Sequence, residues 1–125
     1  MVKSTFVLLG VLALILVSGY LEGLYVKSKF GYFEENLAKI IEKTDQKQDD
    51  SENLRQLLEW WKGEKLIMHA FVPHNEIKDI DGMMVKAGQF INEGFFVLAS
   101  AELKKLHDMV KALPENYSFS FGNIF

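Results

Sequence analysis

The stretch that decides the architecture is "TFVLLGVLALILVSGYL", Thr5 to Leu21, together with the way it runs on into "EGLYVKSKFGYFEENLAKII", residues 22–41. The first part carries no charged residue. At about 1.5 Å per residue it spans roughly 25 Å, slightly short of a bilayer core of about 30 Å. Leu24, Tyr25 and Val26 can extend it, with Glu22 at headgroup level and Tyr20 and Tyr25 as interfacial anchors. Beyond the charged residues, Phe30, Phe33, Leu37, Ile40 and Ile41 recur three and four apart, so the same helix is expected to leave the membrane and become amphipathic. The rival reading is a cleavable signal peptide, because Val17-Ser18-Gly19 offers small residues for a cut after Gly19. The continuing stripe favours an anchor that is kept.

Orientation is not decided by charge. Lys3 lies on one side of the span, but Lys27 and Lys29 lie close on the other. A short leading segment favours an N-terminus inside, which puts the bulk of the chain outside the cytoplasm.

Composition narrows the possible roles. The chain has 125 residues, which suits one domain. A net charge of −3 and a pI near 5.6 give no footprint for nucleic acid, and no Lys/Arg cluster points to anionic headgroups. Cysteine is absent, which excludes disulfides, thiolate nucleophiles and cysteine-based metal sites.

Past the anchor, the polar run "EKTDQKQDDSEN", residues 42–53, reads as a solvated loop, with Asp49, Asp50 and Ser51 supplying N-cap chemistry. A helix carrying Leu54, Leu57, Leu58, Trp61, Met68, Phe71 and Val72 comes next, and Pro73 stops it. Asn75 is the expected N-cap of a third helix with Ile77, Ile80, Met84, Ala87 and Ile91 on its apolar face. That helix ends near Gly94. A fourth presents Phe96, Ala99, Leu103, Leu106, Val110 and Leu113, and Pro114 is expected to close it. In the remainder, Tyr117, Phe119 and Phe121 alternate with polar residues. The period of two predicts an extended aromatic tail, packed on the protein's own helices near Trp61 and Leu106.

Few residues invite chemistry. His69, His74 and Glu76 lie in "HAFVPHNE", residues 69–76, where two histidines flank a proline. They do not share one helical face, as a zinc pair four residues apart would. The third histidine, His107, is displaced by roughly 7 Å along a hairpin of the last two helices. A helix corner is therefore the better reading of this stretch, with His74 capping the new helix or bonding a free carbonyl. Trp60 and Trp61 point about 100° apart on a helix. Trp61 falls on the apolar face; Trp60 falls at its edge, open to an interface, a ligand platform or a membrane contact. Gly19 and Gly23 match a close-packing motif of membrane helices, but at the end of the span. Glu76, Asp79 and Asp81 form no catalytic pair by spacing and read as helix-dipole complement and solvated face.

The order of "LLEWWKGEKLIMHAFV", "PHNEIKDID", "ELKKLHDMVKALPE" and the terminus "FSFGNIF" resembles an uncharacterised family of small membrane-anchored helical proteins, a domain of unknown function, found mainly in clostridia and related Gram-positive bacteria. His74 and the end Asn123-Ile124-Phe125 match its recurrent positions. The resemblance implies an anchored helical domain without assigned activity, beside an integral membrane protein of the YetF-like kind. It supplies no catalytic residues.

Together these readings predict an all-α protein: an N-terminal transmembrane helix (residues 1–29, or a signal peptide) followed by a small antiparallel helical bundle (30–125). The expected role is that of a non-catalytic accessory or interaction protein at the cell membrane. It would be held in the bilayer by residues 5–21, would partner an integral membrane protein and would need no cofactor. Trp60, Trp61, His74, Tyr117, Phe119 and Phe121 are the interaction candidates. The rival, from a different class, is a helical domain that binds a small ligand or metal at His69, His74 and Glu76.

Overall fold

Helix α1 runs without a break from Val2 to Asp45 in the computed structural model, which describes the backbone of residues 2–124 and the side chains of residues 2–114. Its 44 residues span about 65 Å. The helix has two unlike parts. None of the described residues before Val26 is buried, whereas Val26, Phe30, Phe33, Leu37, Ile40 and Thr44 are buried at alternating spacings of four and three. That is the periodicity of a helix seam packed on partners. Thr44 fits this apolar row because its hydroxyl donates to the Ile40 carbonyl at 2.7 Å.

Three more helices complete the chain: α2 (Ser51–Met68), α3 (His74–Asn92) and α4 (Phe96–Ile124). No strand occurs among the described residues. Each helix packs against the next, and α4 returns to α1, closing an antiparallel four-helix ring. Trp61, Phe30, Phe33, Ile80, Leu103 and Val110 fill its centre.

The two distal turns share one geometry. After α1, Lys47 takes a left-handed φ of 60°, with its N–H on the Thr44 carbonyl and the Gln48 N–H on the Lys43 carbonyl. After α3, Gly94 takes φ 80°, with its N–H on Ile91 and the Phe95 N–H on Phe90. Both are Schellman closures, and only the second uses the residue that suits it.

Five expectations need correction. The polar run 42–53 is not a loop throughout. Only 46–50 lie between helices, because Glu42, Lys43, Asp45, Glu52 and Asn53 occupy exposed or half-exposed helical positions and Thr44 bonds its own helix. Helix α2 stops at Met68 rather than at Pro73; residues 69–72 form a turn whose amides bond back to Lys65, Ile67 and Met68, yet Val72 is still buried. Asn75 is not the cap of α3. Pro73, extended at ψ 142°, takes that place, and its carbonyl accepts from Glu76 and Ile77.

Nor does Pro114 end α4 or the aromatic tail extend. The backbone stays helical to Ile124 with Pro114 inside. A proline removes one bond, here to the Val110 carbonyl, and kinks a helix without having to terminate it. An isolated extended segment needs a strand to pair with, whereas a helix satisfies its own backbone. The side chains of Tyr117, Phe119 and Phe121, and the expected packing near Trp61 and Leu106, lie outside the described residues.

Candidate functional site

The corner between α2 and α3 brings His69 and His74 together. Their rings stack with centroids 5.5 Å apart and planes 24° from parallel, and both residues are exposed. His69 is the C-cap residue of α2 and His74 the first residue of α3, which has no side-chain cap bond. Among the described residues, no group of three His, Cys, Asp or Glu side chains is placed to share a metal ion. Glu76 does not complete one. His107 points elsewhere, with Nε2 3.6 Å from Glu34 on α1. A stacked pair falls short of the three or four converging ligands that zinc takes.

The carboxylates have a different use. Each of the four seams is spanned by one that faces two donors. Between α1 and α2, Glu64 accepts from the Tyr25 hydroxyl at 2.7 Å and from Lys29 at 3.2 Å. Between α2 and α3, Asp81 accepts from the Trp61 indole N–H at 2.7 Å and from Lys65 at 3.0 Å. Between α3 and α4, Glu102 stands 3.5 Å from Lys86 and 3.2 Å from Lys105. Between α4 and α1, Asp45 accepts from the Ser100 hydroxyl and stands 3.4 Å from Lys104. The Ser100 bond, with Lys104 beside it, holds the Asp45 carboxyl below its ordinary range. Asp81 was expected on a solvated face; it is half-buried and committed to Trp61. A sequence shows that Trp61 faces the core but not which carboxylate its N–H will meet, because that depends on the pairing of helices.

Trp61 is fully buried against Phe30 and Phe33. Trp60 is half-buried, its ring 4.7 Å from Tyr32 and 5.6 Å, edge-on, from Phe33. It is the rim of the core. Beside it an open groove of about 410 Å³ runs between α1 and α2, lined by Tyr32, Lys43, Asp50, Asn53 and Leu57 among others. Asp50 is the one buried carboxylate there. Its Oδ1 accepts from Asn53 and stands 3.6 Å from Lys43, while Oδ2, shut away from the groove's solvent, has no hydrogen-bond partner among the described residues.

The apolar surfaces left uncovered are the more informative feature. The apolar stretch of α1 is exposed along its length, and Gly23 has open space where a side chain would stand. At the far end of the bundle Phe95, Val97 and Leu98 are exposed around the turn after α3. At the near end, Leu66 and Ile67 are exposed beside the histidine corner.

A family described as a domain of unknown function, DUF4363, matches residues 24–124. The chain belongs to that family. The match takes in the whole four-helix ring and begins where α1 enters it, so Thr5–Leu21 lies outside the matched residues. No curated protein and no solved structure matches the chain.

Proposed function

We propose that the protein is a non-catalytic interaction module anchored in the cell membrane by α1, its bundle on the extracytoplasmic side, serving as an accessory to an integral membrane protein. One observation carries this reading. The apolar stretch of α1 is long enough to cross a membrane, is unburied, and continues as the same rigid helix into the core. Such a surface needs lipid or protein to cover it. A continuous helix also fixes the bundle's height above the bilayer, which suits a domain that must meet a partner there.

The paired carboxylates support the non-catalytic part. Glu64, Asp81, Glu102 and Asp45 each hold two helices together, so their donors and charges are engaged in the fold. The exposed tip of Phe95, Val97 and Leu98 is the natural contact for a partner's extramembrane portion. The resemblance to membrane-anchored relatives suggests a YetF-like protein as that partner.

Purification of the full-length protein in mild detergent, with bound proteins and metals identified together, tests the proposal. An integral membrane protein at fixed ratio, lost on Val97→Glu, is expected. Protein that purifies alone with stoichiometric metal, lost on His74→Asn, would replace this reading with the rival one.

A further inference from the structure

The α2–α3 corner lies at a height where it meets the membrane. Glu64 bridges Tyr25 and Lys29, which sets this part of α2 level with residues 25–29 of α1. The helices are antiparallel, so each residue past Glu64 descends about 1.5 Å towards the span. Leu66 and Ile67 are then level with about Leu24 and Tyr25. Counted from Thr5, roughly 20 residues end at Leu24, two residues past Glu22 at headgroup level, so this height is the boundary between acyl chains and headgroups. Phe71 lies at the same level, its ring 6.1 Å from that of Tyr25.

At that level exposed apolar side chains stand among a few charged ones, Glu22 and Lys27 on α1 and Lys65 on α2. Leu66 is 74% and Ile67 52% exposed, at about the height of Leu24 on α1, which is 46% exposed, and just above Leu21, which is 57% exposed. We infer that Leu66 and Ile67 form a second membrane contact, a shallow apolar seat that rests at the acyl-chain boundary beside the span. The inference rests on α1 being a membrane anchor. What identifies lipid as the occupant is height: Glu64 and Phe71 tie this end of α2 to Tyr25, so the patch stands at the depth where the span leaves the hydrocarbon.

Charge does not drive the contact. Lys62 is paired with Glu59, and Lys65 with Asp81. The seat therefore forms on neutral phosphatidylcholine as well as on anionic lipid. Two contact points resist tilting in a way that one helix does not, so the seat holds the bundle at a fixed angle. The tip at Val97 lies at the opposite end of the bundle, about 30 Å away along α1, beyond the reach of lipid.

The chain has no cysteine, so single-cysteine variants can be labelled cleanly. Leu14→Cys, Leu66→Cys, Ile67→Cys and Val97→Cys all replace exposed side chains. Each full-length variant would carry an environment-sensitive nitrobenzoxadiazole probe in phosphatidylcholine vesicles, with folding checked by circular dichroism. Expected are blue-shifted emission at 66 and 67, strongest quenching there by a nitroxide high on the acyl chain, and water-like emission at 97. The probe at 14 should respond most to a nitroxide deep in the bilayer. Water-like emission at 66 and 67 with a deep probe at 14 would overturn the seat and leave the anchor standing. Blue-shifted but unquenched emission at 66 and 67 would assign the cover to protein and also overturn it. If the probe at 14 is itself in water, the anchoring reading fails and the seat fails with it.

Discussion

The bond between the Trp61 indole and Asp81 is where core packing and seam register meet, and a double-mutant cycle measures it. Trp61→Phe keeps a ring against Phe30 and Phe33 but removes the N–H that donates to Asp81 at 2.7 Å. The smaller ring also leaves space in a fully buried position. A lost hydrogen bond of about 1 kcal/mol plus one to two methylenes' worth of burial gives a total of about 2–3 kcal/mol. Asp81→Ala loses the same bond and the Lys65 pair. The carboxylate is one-third exposed, so solvent already screens that pair and the cost is about 1–2 kcal/mol. The two losses share one bond, so the double variant should be less destabilised than their sum by about 1 kcal/mol. Urea unfolding of the full-length chain in micelles, followed by circular dichroism, reads this difference. Strict additivity, within about 0.3–0.5 kcal/mol, would mean that the bond contributes nothing and that Asp81 does not hold α3 on α2.

Three further outcomes rest on named residues. Lys47→Gly relieves a left-handed conformation at the end of α1, worth about 1 kcal/mol, so thermal melting should rise by roughly 4–8 °C; an unchanged or lower midpoint would contradict the Schellman closure there. Asp45 has its carboxyl pKa lowered by the Ser100 hydrogen bond and by Lys104, so its contribution is present above the ordinary carboxylate range and is lost as pH falls through the lower folded value. Melting curves of wild type and Asp45→Asn should therefore differ at neutral pH and converge in acid, whereas a constant gap would refute the linkage. Replacing both His69 and His74 by Asn removes only an exposed stacked pair, so stability should change by less than about 0.5 kcal/mol and metal content not at all; a larger loss in unfolding experiments would show that the stack braces the corner.

The helices were legible because their apolar faces repeat at helical spacing. Ile77, Ile80, Met84, Ala87 and Ile91 are all buried on α3, as are Ala99, Leu103, Leu106, Val110 and Leu113 on α4. Element ends were less legible. Polar residues such as Lys43 and Asp45 look like loop, yet both sit in the last turn of α1, where Asp45 accepts from Ser100 across the α1–α4 seam. At 117–121 three alternating rings suggested an extended chain, but with no strand beside them the backbone continues α4. The carboxylate bridges were hidden for a different reason. Asp81 meets Trp61 twenty positions away, and Asp45 meets Ser100 55 positions away. Only the pairing of helices brings such residues together, and no local pattern encodes it.

The central claim is that α1 stays on the protein and lies in a membrane. Alkaline extraction of native membranes followed by intact-mass measurement of the protein tests both parts at once. The account predicts a chain that remains in the extracted membrane pellet and whose mass still includes Thr5 to Leu21. A soluble species whose mass begins at Tyr20 would contradict it: α1 would then carry a signal peptide, and the bundle would reach its partner without an anchor.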